Sequence, residues 1–582
     1  MAEDAPETRP RPSIPFSVSP ALLLVLAIFL VVSFVVFDQI EEDAFIYYRV
    51  AENIADGHGY VFNSSGERIE AGSSILWQAM LALVALLPVN IILASKIMGL
   101  AFGAGTLYSL HKLSLVLIRS GPLRLMPALL LAVSIPFYCW SQRGLETPLY
   151  VFAIVTLGMW LLHPRLKHFW MLPALAVILS RSEGVIVLLG LAGFFVVERR
   201  TWPRLARGLA LVGVVIAASV VWRYYYFHDL MPHAIYVKAQ GGSGVADSWA
   251  WLSRSGLWLM AVVAAVGLAS RLAWHPGLVI IASLEAPFIV WAFVTGDGFK
   301  PYNRHLVPAL PLFYVLLGCG LDRVAARRGW RLVIPAAAAG AVAWVLFFAP
   351  AGTGGGRVTP NVFSQELTRI AAGPPEFWRS VKEMFSANSP AIGRPPVGNR
   401  DSATRNWQAS VGDFIARRYR PGTVVVYDQM GQTPWYAGAD KVFIDTLGLT
   451  YRPAGLAVFN HDGQESQSSS YLAYTTVANA LLRQTGRDDF RRWDLPDAVN
   501  HIFELNPDVI ILNRLITGVG TGSLVWRRRE ANVSGLIARD PRLTQRYAQL
   551  DPALVSREVP WRASALLSVY ERNDLRRGRP IE

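Results

Sequence analysis

Three carboxylates in a row, Glu41, Glu42 and Asp43, follow directly on an apolar run from Pro20 to Phe37. A carboxylate does two kinds of chemistry well: it takes a proton from an alcohol, or it binds a hard cation. Ionisable groups beside a membrane span are costly unless they are solvated, paired or used. A solvated span end is the simplest reading of the triplet. Its context argues for more. An aromatic stretch with Phe45, Tyr47 and Tyr48 comes next, then Arg49, the turn Gly57-His58-Gly59, and YVFNSSGERIEAGSS. That is a long structured loop, not a short connector.

Composition names the scaffold that must hold this loop. Of the 582 residues, 53% are hydrophobic and 17% charged, where a soluble protein carries about a quarter charged. The apolar residues fall in blocks of roughly 15 to 20, as bilayer-spanning helices require. Candidate spans are 19–37, 92–118, 124–138, 147–162, 168–180, 184–198, 207–226, 253–271, 277–294, 305–320 and 332–349. The loops between them alternate. RSGPLR (119–124), HPRLKH (163–168), ERRTWPRLARG (198–208), SRLAWHPG (270–277) and DRVAARRGWR (322–331) are basic. The other set, beginning with DQIEEDAF (38–45), holds acids, histidines and aromatics. The positive-inside rule then places the N-terminus in the cytoplasm and the second set of loops outside. ILWQAMLALVALL (75–87) is too short to span, and reading it as a span would flip every later loop, so it is expected at the interface or re-entrant.

The fold class that follows is a polytopic α-helical membrane protein of about eleven transmembrane helices over residues 1–350, with a first outer loop at 38–74. Residues 351–582 contain no long apolar run. TVVVYD (423–428), KVFID (441–445) and DVIIL (508–512) read as strands, and YLAYTTVANALLRQ (471–484) as a helix, so a soluble extracytoplasmic α/β domain is expected there. The Gly- and Pro-rich stretch from Ala351 to about Arg400 reads as a linker. The net charge of +13 comes mostly from Arg in short loops, which the bilayer explains without nucleic acid. Cys139 and Cys319 both lie in apolar blocks and have no metal-ligand spacing. The first apolar block lacks a cleavage pattern and is expected to be a retained span.

The run EDAFIYYRVAENIADGHGYVFNSSGERIEAGSSILW (42–77) resembles the first outer loop of the GT-C glycosyltransferases. These are polytopic enzymes that move a sugar from a polyprenyl-phosphate carrier to an acceptor outside the cytoplasmic membrane. RGLETP (143–148), SRSEG (180–184), YYYFHDLMPHAIYVK (224–238), GDGFKPYNRHLVPALP (296–311) and DTLGLT (445–450) are similar to further motifs of that superfamily. Within it, the arrangement is most like the terminal β-(1→2) arabinofuranosyltransferases of mycobacterial cell-wall arabinan, which use decaprenyl-phosphoryl-arabinose. One departure is the first acid of the loop motif: it is usually Asp, and here it is Glu42.

The resemblance implies an inverting transfer of a sugar, an arabinofuranose by the nearest likeness, to a cell-wall glycan. Such a transfer needs a base for the acceptor hydroxyl and cationic groups for the departing phosphate. A single displacement inverts the anomeric centre and needs one base. Asp43, just past the end of the first span, is the expected base, with Glu42 as the alternative. Glu42 and Asp43 are also the candidate ligands of a divalent cation (Mg²⁺, Mn²⁺ or Ca²⁺), since the superfamily has members with and without a metal. Arg304, Lys300, Lys238, His233 and Arg181 are the candidate phosphate-binding cations, because guanidinium forks and ammonium groups suit phosphate oxygens. Ordinary salt bridges compete with that role: Arg181 with Glu183, Arg304 with Asp297, Arg143 with Glu146.

Candidate sugar- or acceptor-binding residues are His58, Glu146, Glu183, Asp297, Tyr302 and, in the tail, Trp435. A turn role for His58 and plain packing for the aromatics are the alternatives. Rival readings are a hexosyl or aminoarabinosyl lipid donor used on protein or lipid A, and a transporter of lipid-linked sugars. A transporter would place its polar residues at mid-membrane, and here they collect at one face.

Overall fold

Short polar caps and prolines start the helices. The Ser19 hydroxyl accepts the Leu22 N–H at 3.2 Å, with Pro20 at the first helical position. Ser74 does the same for Trp77 at 3.1 Å, and Asn90 for Leu93 at 2.8 Å. Each cap satisfies an N–H that the helix itself leaves without a partner. The computed structural model describes residues 17–37, 39–197, 202–238, 276–295, 304–325, 333–347, 407–466, 493–513, 532–559 and 567–576, with a few shorter stretches.

Within these residues the N-terminal body is helical. Its longer helices are Pro20–Val35, Ile91–Leu117, Thr147–Leu162, Trp202–Phe227, Pro276–Thr295, Leu310–Ala325 and Val333–Phe347. Among the described residues, two are long and apolar enough to cross a bilayer: Ile91–Leu117 and Leu205–Phe227. The expected count of about eleven full spans is not reached by that measure. The expected span 124–138 breaks at Val133–Ser134, where Pro136 opens a new short helix, Ile135–Trp140. The expected span 184–198 divides into the turn Ser182–Ile186 and the helices Val187–Gly190 and Ala192–Val197. All but a few residues of the expected span 253–271, and the whole of the expected helix 471–484, lie outside the described residues. The 75–87 segment forms an 11-residue helix, Ile75–Ala85.

Among the described residues the tail builds a five-stranded sheet. After a small hairpin of β1 (Gly352–Gly354) and β2 (Arg357–Thr359) come β3 (Val424–Tyr427), β4 (Val442–Asp445), β5 (Val509–Asn513), β6 (Tyr547–Gln549) and β7 (Leu567–Arg572). The order is β4-β3-β5-β7-β6. β3 pairs in parallel with both β4 and β5, while β7 runs antiparallel to β5 and β6. Every residue of β5 is buried, as expected of a central strand covered on both faces.

The body and the tail share a seam. Helix Ala44–Ala55 is buried along most of its length. Phe45, Tyr48 and Ala51 belong to the core of the helical body, whereas Ile46 and Val50 belong to the tail's core with Phe414, Val425 and Phe443. Arg49 threads between the two. Its Nε donates to Phe62 O (2.9 Å), Nη1 to Pro434 O (2.7 Å) and Gly438 O (3.2 Å), and Nη2 to Lys441 O (2.8 Å). Asn63 exchanges both side-chain hydrogen bonds with the backbone of Phe443, at 2.8 and 3.0 Å.

The parallel strands leave polar residues at their carboxyl ends. Asp428 follows β3, and Asp445 ends β4. Burial, and then the neighbouring Asp445, push the Asp428 carboxyl from 3.8 up to about 8. The folded state therefore holds this proton where the unfolded chain has released it. It binds more protons between those two values, so stability falls as pH rises through that window, by at most about 1.4 kcal/mol per pH unit for one proton. Glu70, which burial pushes up to about 7 against the pull of Arg223, adds to the same slope. Asp428→Asn is expected to flatten the decline of melting temperature between about pH 4 and about pH 8. Parallel curves for wild type and variant would remove Asp428 from this account.

Candidate active site

The triplet leads into the Ala44–Ala55 helix, and the Glu41, Glu42 and Asp43 carbonyls accept the N–H groups of Ala44, Phe45 and Ile46 at 3.2 Å each. The three adjacent acids face three different ways. Glu41 turns to the RGLETP loop and pairs with Arg143 at 3.1 Å. Glu42 turns to the tail, where its Oε1 accepts the Gly431 N–H at 2.6 Å. Asp43 is half-buried and borders a cavity. It stands at the N-cap position, yet its carboxylate makes no capping hydrogen bond.

That cavity encloses about 330 Å³ of empty space, its open mouth included. Its polar lining is Asp43, Tyr47, Ser73 and Arg304. Ile46, Ala71 and Leu145 supply apolar wall from the body, and Leu449 supplies it from the tail. The Tyr47 phenol stays protonated, because burial and then the nearby Glu146 carboxylate drive its proton affinity up. The backbone N–H of Ser74 donates to the Tyr47 hydroxyl at 3.1 Å.

Arg304 is buried and held on three sides. Its Nη2 donates to Glu146 Oε1 at 2.5 Å, its Nε to Thr147 Oγ1 at 3.0 Å, and the guanidinium lies 5.1 Å from the centre of the Trp140 ring. Among the described residues, Nη1 makes no hydrogen bond. Arg181 shares the same Glu146 oxygen at 2.9 Å and also pairs with Glu183 through Nε. Burial alone would raise the Glu183 carboxyl, but Arg181 and then His305 bring it below its ordinary range. The second Glu146 oxygen is buried without a hydrogen-bond partner among the described residues. Two cations thus converge on one carboxylate, and one of them reaches the cavity that Asp43 lines.

The loop carrying Glu146 is itself held in place. Lys96, buried on helix Ile91–Leu117, donates to Phe37 O (2.8 Å), Gln39 O (2.5 Å), Gln142 O (3.1 Å) and Gln142 Oε1 (3.2 Å). It ties the residues just before the acid triplet to those just before Arg143. Gly144 takes φ +83°, and a Cβ there would lie 2.1 Å from the Tyr48 hydroxyl, so only glycine fits.

The expected site residues therefore divide. Asp43, Arg304, Arg181, Glu146 and Glu183 come together. Tyr302 joins them indirectly: at φ +63° its ring lies 4.5 Å from the Arg143 guanidinium. His233 is buried elsewhere, its N–H on Glu70 O at 3.1 Å and its ring near Asp229. His58 is exposed in its turn, with its N–H on Asn53 O at 2.9 Å. Trp435 packs edge-on to Phe45 and Tyr48, with centroids 6.0 and 5.9 Å apart. Lys238 ends the helix His233–Lys238, and its side chain, like Lys300 and Asp297, is outside the described residues.

One of the simple ion pairs expected from sequence is rearranged: Arg143 pairs with Glu41 rather than Glu146. Arg304 pairs with Glu146, and its expected partner Asp297 lies outside the described residues. Proximity in sequence favoured Arg143 with Glu146, but the turn at Gly144 points them apart. Arg49, Asn63, Lys96, Tyr47 and Leu449 were not singled out as site residues. A buried cation such as Lys96 inside an apolar run is the one signal that could have marked one of them.

No family model matches the sequence, and no curated protein matches it. Among solved structures the chain is similar to ArnT from Cupriavidus metallidurans bound to undecaprenyl phosphate, with a TM-score of 0.47 and 14% identity, covering 88% of this chain and 97% of that one. It is also similar to the apo state of that protein (TM-score 0.47, 16% identity, 74% and 88% covered). A third likeness is to the oligosaccharyltransferase AglB from Archaeoglobus fulgidus in complex with an inhibitory peptide and a dolichol-phosphate (TM-score 0.44, 12% identity, 84% and 69% covered). All three likenesses are remote.

Proposed function

We propose that this protein is an inverting membrane glycosyltransferase that takes a sugar, arabinofuranose, from a polyprenyl-phosphate donor such as decaprenyl-phosphoryl-arabinose and places it on a cell-wall glycan acceptor outside the cytoplasmic membrane. The observation that carries this reading is the cavity shared by the Asp43 carboxylate and the Arg304 guanidinium. The first-loop motif supplies the reaction class.

Asp43 takes the proton of the acceptor hydroxyl as that oxygen attacks the anomeric carbon. The bond from that carbon to the phosphate oxygen breaks, and the phosphate leaves with its electron pair. Arg304 meets the charge that develops there, with Nη1 as the donor and Glu146 and Thr147 keeping the fork in place. Arg181, behind Glu146, offsets part of the charge of Glu146 and Glu183. Glu183 and Tyr302 act in this reading by holding Arg181 and Arg143. The lipid tail of the donor stays in the bilayer, which is why the base belongs at the end of the first apolar helix. The tail domain is read as the acceptor-binding part, with Trp435 at its junction with the body.

A divalent cation on Glu42 and Asp43 would share the Glu42 carboxylate with the Gly431 N–H. Among the described residues no group of three His, Cys, Asp or Glu side chains converges to hold a metal. Glu42 and Asp43 would hold such an ion together with the donor phosphate, whose charge it would share.

The test is transfer of labelled arabinose from decaprenyl-phosphoryl-arabinose to a synthetic arabinan by the purified protein. Transfer only from a mannosyl or glucosyl donor would overturn the pentose assignment, and transfer from none would overturn the enzyme. Arg304→Lys keeps the charge but loses the planar fork, and is expected to lower kcat by roughly 10²-fold, the scale of one preorganised donor. An unchanged kcat would remove Arg304 from phosphate stabilisation.

A further inference from the structure

The tail reaches the cavity through Leu449, in the DTLGLT segment that the mechanism above leaves without a role. Asp445, the last residue of β4, organises that segment. Its Oδ1 accepts the Leu447 N–H and its Oδ2 the Thr450 N–H, both at 2.9 Å. The loop is thereby wrapped around a buried carboxylate. Gly448 takes φ +84°, and a Cβ there would lie 2.2 Å from Gly455 N, so the chain turns where only glycine fits. The next residue, Leu449, is delivered to the cavity wall. β4 is in turn tied to the first loop by Asn63 on Phe443 and by Arg49 on Lys441 O. The position of Leu449 is therefore referenced to the same element that carries Asp43.

We infer that Leu449 is a specificity-determining residue, an apolar wall that limits the size of the transferred sugar, and that Asp445 is the positioning residue that holds it. This rests on the transferase reading. A hexose differs from a pentose of the same ring size by a hydroxymethyl arm. A branched apolar side chain on the wall takes up room that arm needs and offers its hydroxyl no partner. Discrimination by one such group in an apolar pocket is worth about 10- to 200-fold.

The experiment measures kcat/KM for a pentosyl and a hexosyl polyprenyl-phosphate donor, in wild type and in Leu449→Ala, Leu449→Phe and Asp445→Asn. Leu449→Ala is expected to raise the hexosyl-to-pentosyl ratio by about 10-fold or more. Leu449→Phe is expected to move the ratio the other way, and Asp445→Asn to move it as Leu449→Ala does, by a smaller factor. A merely structural Leu449 would lower both donors alike and leave the ratio unmoved, which overturns the inference while wild-type transfer still stands. If wild type transfers from neither donor, the enzyme reading falls and takes the inference with it.

Discussion

Asp43→Asn is expected to lower sugar transfer by about 10²- to 10⁴-fold, the contribution of a positioned general base. Asn has nearly the same shape as Asp but cannot accept the hydroxyl proton. The fold should not report the change, because the Asp43 carboxylate does not cap the helix it begins and the turn is held by backbone bonds. The loss should therefore appear in kcat, with donor binding nearly unaltered. Glu42→Gln provides the contrast. Glu42 accepts the Gly431 N–H, and the Gln carbonyl accepts it equally well, so a fall of less than about tenfold is expected for a group that is not the base. Steady-state transfer with both variants, alongside a binding measurement with polyprenyl phosphate, separates the roles. A Glu42→Gln loss as deep as that of Asp43→Asn would move the base to Glu42.

Replacing Arg49 by Met should unlock the tail from the body. The Met side chain fills the space of the Arg stem but takes the donor from the carbonyls of Pro434 and Lys441, while Phe62 O keeps the Asn53 amide at 3.0 Å and Gly438 O keeps the Lys441 N–H at 3.4 Å. A buried carbonyl left without a donor costs about 1–3 kcal/mol. The guanidinium also lies over the rings of Phe62 and Phe443, at 5.1 and 5.7 Å, and that attraction is lost too. Lys at this position keeps a charge, but one ammonium cannot address carbonyls spread around a planar fork. Burial lowers the Arg49 proton affinity to about 10, with Glu52 and then Asp440 opposing the fall, so the side chain remains charged at neutral pH. The expected result is a lower melting temperature in detergent and faster proteolysis between the body and residue 407. Transfer should fall as well, because Leu449 loses its reference to Asp43. An unchanged melting temperature and cleavage rate would show that the seam is held without Arg49.

Much of the local structure was legible from residue order. Ser19 before Pro20, Ser74, and Asn90 before an apolar run mark helix starts, because each side chain reaches an N–H only two or three residues on. The strand runs 423–428, 441–445 and 508–512 became β3, β4 and β5, since a buried parallel strand needs a short apolar run and little else. Helix lengths were less legible. Pro136 divides one expected span, and the Ser182–Ile186 turn with the short helices after it divides another; hydropathy averages over such breaks.

For the site, the sequence by itself determined the chemical inventory: a carboxylate triplet at the end of an apolar helix, arginines in polar loops, and a glycine-bearing turn in the tail. Which acid meets the cavity was decided only by tertiary structure. Arg143 claims Glu41 from 102 residues away, Gly431 claims Glu42 from 389, and Asp43 is left beside Arg304. Leu449 reaches the same cavity only because Arg49 and Asn63 bind the tail to the first loop. Contacts of that range depend on how whole elements pack, and the residues between the partners carry no local signal of it.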